Sequence, residues 1–230
     1  MPEAAEDNRQ PYEIPKDFDI RIISHPVISH KLTHLRSDKT EPPEFRRLLS
    51  ELTYLLTYET MRTAPVEKIV VKTPLARYEG VALARKKILV IPIMRAGLGM
   101  VDAVLELLPM ACVGHIGMYR DEQTLEVHVY YTKLPEEPHH FEALVLDPML
   151  ATGHTLSTAI DILKSSGVKS ITVETIISAP EGINYIYYRH KDIKLYTLAI
   201  DKELNPRNFI LPGLGDAGDR LYGTDKWSIL

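Results

Sequence analysis

The sequence predicts an α/β protein with a mostly parallel, twisted sheet flanked by helices, and three observations carry that reading. Apolar runs of strand length recur at residues 88–93, 143–146, 168–178 and 194–200. Stretches with helical spacing lie between them, the alternation expected of a parallel sheet. Two of the runs, 88–93 and 143–146, end in a turn of small residues that leads straight into a helix pattern.

The totals narrow the class. A chain of 230 residues is one large domain or two small ones, and 45% hydrophobic residues can fill a sizeable core. Lys and Arg number 27 against 31 Asp and Glu, a net charge of −4, which argues against a dedicated nucleic-acid or membrane-surface binder. One cysteine, Cys112, cannot form an intrachain disulfide. No apolar run approaches the ~20 residues of a membrane span, and the first residues lack the basic start and apolar centre of a signal peptide. The expectation is a soluble, cytoplasmic protein. Residues 1–20 are expected to be a flexible arm and 21–230 a single domain.

Taken in order, HPVISHKLTHLR (25–36) carries three histidines. His30 and His34 are one helical turn apart, a spacing open to metal ligation, but no Cys or HExxH pattern accompanies them. The plainer reading is a partly exposed segment packed on the domain or on another subunit. Residues 44–61 are the clearest helix, with Phe45, Leu48, Leu49, Leu52, Leu55 and Leu56 on one stripe. Pro42 and Pro43 stand where a helix start tolerates proline. Residues 66–72 and 78–84 bracket Thr73-Pro74 as a hairpin. The run ILVIPI (88–93) is followed by Met94, Arg95, Ala96, Gly97 and a helix over 100–108. An arginine among residues this small can meet an anion or be a surface arginine on a tight turn. Residues 111–119 and 125–131 alternate like half-exposed strands, with Arg120 where the first leaves the sheet and a hairpin over 120–135. The His139-His140 pair is expected to be solvated. Gly167 is placed as a helix C′ residue. A strand over 168–178, a break at 179–182, a short helix over 183–190 and a strand over 194–200 complete the pattern.

The stretch FEALVLDPMLATGHTLSTAIDIL (141–163) organises the rest. Its buried strand ends in Asp147. A turn of small and hydroxyl residues follows, then apolar positions at Leu156, Ala159, Ile160 and Leu163. A helix start offers unpaired N–H groups and partial positive charge, enough to seat a phosphate without a basic side chain. Thr152 and Thr155 add donors, and Gly153 admits close approach. Asp147, an acceptor, suits sugar hydroxyls beside that phosphate, so the pair suggests a ribose phosphate. The same stretch can also be an ordinary turn whose threonines cap the helix. In open parallel sheets ligands bind beyond the strands' carboxyl ends. If their strands are parallel neighbours, Arg95, Arg120 and Asp147 converge on one crevice.

Residues 213–218 (GLGDAG) fit the dinucleotide fingerprint G-x-G-x-x-G. No long strand precedes them and no βαβ unit follows, so a NAD or FAD role is rejected. What remains is a bare-backbone loop with Asp216 and Asp219, able to grip a flat ligand by main-chain N–H and C=O groups. Such a fixed pattern can read a nucleobase edge, uracil's for example, and reject cytosine by leaving buried groups unpaired, or the loop can be a structural turn with αL glycines.

Six segments, HPVISHKLTHLR, PIMRAGLGMVDAVLELLP, GHIGMYRDEQTLE, DPMLATGHT, SAPEG and PGLGDAGDRLYGT, together resemble the uracil phosphoribosyltransferase family of type I phosphoribosyltransferases. The resemblance runs from His25 to Thr224. It implies the type I phosphoribosyltransferase fold with a β-hairpin flap and a small C-terminal base-binding region. It implies pyrimidine salvage: uracil and 5-phospho-α-D-ribose 1-diphosphate give UMP and diphosphate, with Mg²⁺ carried largely by the diphosphate. By match to those motifs, Asp147, Pro148, Met149, Leu150, Ala151, Thr152, Gly153, His154 and Thr155 would hold the ribose hydroxyls and 5′-phosphate. Arg95 and Arg120 would face the diphosphate. Ile210, Gly215, Asp216 and Ala217 would hold uracil, with Asp216 also near the ribosyl donor or its metal's water shell. Asp147, Arg120 and Asp216 take the catalytic places. The resemblance further implies a homodimer or larger and leaves room for a GTP effector. His154 stands where the family usually has a second glycine. If that position needs φ > 0 the histidine is strained. Otherwise it is tolerated, or it sits beside the phosphate. A phosphoribosyltransferase-fold regulator that binds RNA is the rival from another class, and the charge balance offers it no basic face.

Overall fold

The computed structural model describes residues 15–84, 87–120 and 127–224, and of Arg120 only the backbone. In chain order the elements are β1 (Asp19–Ile22), α1 (Pro26–Arg36), α2 (Pro42–Thr60), β2 (Val66–Lys72), β3 (Arg77–Leu83), β4 (Lys87–Pro92) and α3 (Leu98–Leu107). There follow β5 (Cys112–Val113), β6 (His115–Arg120), β7 (Val127–Lys133), β8 (Phe141–Leu146), β9 (Met149–Leu150), α4 (His154–Ser165) and β10 (Ser170–Ser178). The chain continues through α5 (Pro180–His190), β11 (Lys194–Ile200), β12 (Glu203–Leu204), β13 (Ile210–Leu211) and α6 (Ala217–Tyr222).

Seven strands form one parallel sheet in the order β1-β11-β10-β8-β4-β5, with β9 also on β10. The order explains the composition of β8. A central strand covered on both faces needs apolar residues at successive positions rather than alternate ones. Accordingly Ala143, Leu144, Val145 and Leu146 are all buried. Leu144 and Leu146 face the layer of α1, α2 and α3, where Leu35, Phe45, Leu52 and Met100 pack. Ala143 and Val145 face α4 and α5, where Ile160, Leu163, Ile183 and Ile186 pack. Two antiparallel ribbons, β2–β3 and β6–β7, stand off the sheet.

Several expectations are revised. HPVISHKLTHLR is a helix: His25 Nδ1 accepts from the Val27 N–H at 3.1 Å, Pro26 is its first residue, and Ile28, Leu32 and Leu35 are buried. Residues 179–182 do not separate strand from helix, since Pro180 already begins α5. The sheet starts at Asp19, inside the stretch expected to be an arm, and residues 1–14 lie outside the described residues. The longest revision concerns Arg120. Its strand, β6, is not hydrogen-bonded into the sheet as a neighbour of β4 or β8; it pairs with β7 and meets the end of β4 at the parallel Ile93–Ile116 bridge, with Ile116 and Met118 packed in the core. Residues 111–119 therefore form two strands, of which only Cys112–Val113 joins the sheet.

One carboxyl group lies inside the core. Glu174, in β10, is wholly buried and its Oε2 accepts from the Thr57 hydroxyl of α2 at 2.8 Å. Burial pushes its pKa up from 4.5 to about 7, against the opposing hydrogen bonds from Thr57 and Thr60. The unfolded carboxyl sheds its proton near pH 4.5 while the folded one keeps it to about 7. Stability is therefore undiminished at low pH and falls as pH rises through that window, by about 3 kcal/mol in all. Glu174→Gln removes this slope. In urea unfolding, the variant's loss between about pH 5 and 8 should be smaller by about 2–3 kcal/mol, and equal losses in both proteins would refute the assignment.

Candidate active site

The register Pro92↔Leu146 makes β4 and β8 end side by side, so the turns that leave them are adjacent. The Arg95 turn is pressed onto β8: Ile93 N–H donates to Leu146 O at 2.8 Å, and a Cβ on Gly97 would lie 2.3 Å from that same carbonyl. The glycine is thus required by packing between two strand ends. The Met94–Arg95 peptide is cis.

Asp147 begins the second turn. Its N–H donates to Glu174 O at 3.1 Å, and its Oδ1 accepts from the Met149 N–H at 3.2 Å. Burial raises its carboxyl to about 7, opposed by that Met149 bond. The next residues are held as structure: Pro148 O accepts from Ile176 and Ile177 N–H groups at 3.1 Å, and Met149 and Leu150 pair with Ile177 and Ser178. Leu150 is buried in the α4–α5 layer, so it can offer a ligand only its backbone. Gly153 takes φ 83°, and α4 starts at His154 with no side chain capping it. The threonines therefore do not cap the helix, and the first N–H groups of this twelve-residue helix have no side-chain acceptor at its N-cap. His154 is the first helical residue and is not among the residues with positive φ, so no strain attends the histidine there. Its ring lies against Tyr185, centroids 4.4 Å apart.

The loop over 203–217 is built from short pieces. Glu203↔Leu211 and Leu204↔Ile210 pair antiparallel, the Leu211–Pro212 peptide is cis, and Gly213 and Gly215 have φ 62° and 82°. Asp216 caps α6 by accepting from the Asp219 N–H at 2.9 Å. Two arginines that the motif reading left without a role fix this loop. Arg36 grips Asp201 with bonds of 2.6 and 2.7 Å and also donates to Gly213 O at 2.7 Å, while Asp201 accepts from the Gly213 N–H at 2.9 Å. Arg220 donates to Leu214 O and Leu35 O at 2.7 and 2.8 Å and lies over the Phe45 ring.

The loops touch. Arg95 Nη2 is 2.8 Å from Asp219 Oδ1, and Tyr222 OH donates to Arg95 O at 3.3 Å. The Thr224 hydroxyl, then Arg95, holds the Asp219 carboxyl below its ordinary range. On the other side a Cβ on Gly182 would lie 2.3 Å from Ala151 O, so α5 abuts the turn that follows Asp147. Arg95 thus meets Asp219 beyond the 210–217 loop, and its turn lies beside the turn that Asp147 begins, at the carboxyl ends of β4 and β8. The Arg120 side chain lies outside the described residues. Among the described residues one His/Asp/Glu cluster of metal-binding size occurs, Glu137, His139 and His140. It is exposed and precedes β8, at the sheet's other end, and His30 and His34 meet only ring to ring at 4.7 Å.

The chain has known counterparts. The family model for uracil phosphoribosyltransferase matches residues 22–224. The uracil phosphoribosyltransferase of Dictyoglomus turgidum is 52% identical over 203 residues, 88% of this chain and 98% of that one. That of Clostridium perfringens (strain 13 / Type A) is 48% identical over 202 residues, 88% and 97% of the two chains. The solved AQ2163 protein of Aquifex aeolicus superposes with TM-score 0.84 at 37% identity over 90% of this chain and 99% of that chain. The adenine phosphoribosyltransferase of Leishmania donovani superposes with TM-score 0.54 at 15% identity, over 83% and 87%, a likeness of fold alone.

Proposed function

The chain belongs to the uracil phosphoribosyltransferase family, and from that premise we propose how its residues divide the reaction. It is a pentosyltransferase of pyrimidine salvage that joins uracil to 5-phospho-α-D-ribose 1-diphosphate, giving UMP and diphosphate. The observation that carries the division of labour is the start of α4, without a side-chain cap, at the far end of the turn that Asp147 begins. The 5′-phosphate seats on the N–H groups of residues 152–156, and Asp147 accepts the ribose hydroxyls. Arg95 and Arg120 take the diphosphate. The Arg95–Asp219 contact, half exposed, is weak enough to exchange for that stronger anion. The main chain of Ile210 and 215–217 reads uracil O2, O4 and N3–H.

In the reaction the C1′–O bond to diphosphate breaks early and positive charge builds on the ribose. Uracil N1 then forms the bond to C1′, and its proton leaves. The residues' work is to hold N1 in line and to stabilise the leaving diphosphate. Mg²⁺ is carried largely by the diphosphate in this reading, and among the described residues Asp147, Asp216 and Asp219 form no cluster of metal-binding size that would cage it. When bound with the donor, it would neutralise diphosphate charge. His154 is a tolerated substitution, since backbone does the holding. Accordingly His154→Gly should leave the donor KM and its profile between about pH 6 and 8 unchanged, and a pH-dependent rise in donor KM would assign the imidazole to the phosphate.

A homo-oligomer belongs to the same reading. It is supported by β2–β3, a lone ribbon that exposes Val66, Val70, Tyr78, Val81 and Leu83 and is too small to hold itself. Gel filtration should show a species heavier than 26.1 kDa, and a monomer would count against it. No helix among the described residues is long and apolar enough to cross a membrane. The activity test supplies Mg²⁺ and the ribosyl donor with labelled uracil, orotate, hypoxanthine or cytosine. UMP from uracil alone is expected, and no UMP would overturn the reading.

A further inference from the structure

SAPEG is the motif whose purpose the reaction leaves open. Its serine and alanine finish β10 and lead into α5, and its glycine is forced by contact with Ala151 O of the phosphate turn. Its glutamate faces the other way. Glu181 Oε1 accepts from the Leu204 N–H at 3.0 Å. Leu204 is the residue paired with Ile210, the main chain assigned to uracil. Glu181 also lines a cleft of about 380 Å³, between Thr152 and His154 of the phosphate turn and Leu204 and Asn208 of the base hairpin.

The hairpin needs such a tether. β12 and β13 have two residues each, too few to fix their own position. Asn205 Oδ1 shapes the connecting turn by accepting from the Arg207 and Phe209 N–H groups at 2.8 and 3.0 Å, but that is internal to the hairpin. Asp201 anchors the far end through Gly213. The strand that faces the phosphate turn is held by Glu181.

We propose that Glu181 is a positioning residue for the base: it fixes Leu204, and through the Leu204–Ile210 pair it sets where the uracil-reading backbone stands relative to the phosphate turn. The inference rests on the uracil role of Ile210. An amide oxygen can accept the same N–H, so Glu181→Gln should keep the tether, whereas Glu181→Ala loses it and Glu181→Asp falls short of it.

The test is steady-state kinetics with each substrate varied in turn, on protein whose thermal melting has been recorded. Glu181→Ala should raise the uracil KM about ten-fold, the size of one lost hydrogen bond, with donor KM changed less than about two-fold. Glu181→Gln should stay within about three-fold of the unaltered chain in both. If Glu181→Ala does not fold, Glu181→Asp takes its place with the same expected split. An unchanged uracil KM in the variant used, a donor KM that rises in step with it, or no rescue by glutamine would overturn the proposal. Failure of the unaltered chain to use uracil would instead defeat the reading of Ile210 on which it stands.

Discussion

Arg36→Ala is expected to cost about 3–5 kcal/mol of stability, the loss typical of removing one partner from a buried ion pair. The Asp201 carboxylate is nearly enclosed, with its side chain 5% exposed, and Arg36 meets both of its oxygens. Without the guanidinium that charge has one partner left, the Gly213 N–H, and Gly213 O loses its donor. The damage falls on the base loop, so uracil KM should rise along with the loss in urea unfolding. Asp201→Ala in the same background should cost little more, because the unpaired charge has gone. A loss below about 1 kcal/mol for Arg36→Ala would place the pair among ordinary surface bridges.

Asp147→Asn should separate activity from stability. The carboxylate is assigned two ribose hydroxyls, and charged hydrogen bonds are worth about 1.5–3 kcal/mol each. The expected fall in kcat/KM is roughly 10²–10³-fold, about 3–4 kcal/mol. In the free protein, burial disfavours the ionised form and raises its pKa to about 7. Stability from this group is present below the ordinary carboxylate range and is lost as pH rises through about 7. The neutral amide of the Asp147→Asn variant carries no such penalty, so above pH ~7 that variant should melt higher than the unaltered chain. Activity within about ten-fold of normal would remove Asp147 from the ribose, and a lower melting temperature at about pH 8 would refute the burial-raised carboxyl.

What could be read in the chain divides along physical lines. The β8 run was legible because a doubly covered strand is apolar at every position, and α2 because its stripe of leucines is long. The α1 helix was within reach: Ile28, Leu32 and Leu35 have helical spacing, but the histidines between them drew attention to metal. That β6 leaves the sheet for a ribbon with β7 was not legible, because an alternating strand reads alike in a sheet or in a separate ribbon. Gly97 and Gly182 were visible as small residues, but the carbonyls they avoid, Leu146 O and Ala151 O, are set by tertiary packing. The Arg36–Asp201 pair spans 165 residues, and no local pattern joins its ends. The site's contact residues are thus written in short motifs, and the residues that aim them are scattered along the chain.

The central claim is that one crevice holds the whole nucleotide, with the phosphate on α4 and the base on the 210–217 loop. A crystal structure with UMP tests it directly. The 5′-phosphate oxygens should lie about 3 Å from the N–H groups of residues 152–156, the ribose hydroxyls on Asp147, and the uracil edge on Ile210 and 215–217. A UMP whose phosphate lies away from the start of α4, or whose base leaves that loop untouched, would contradict the account.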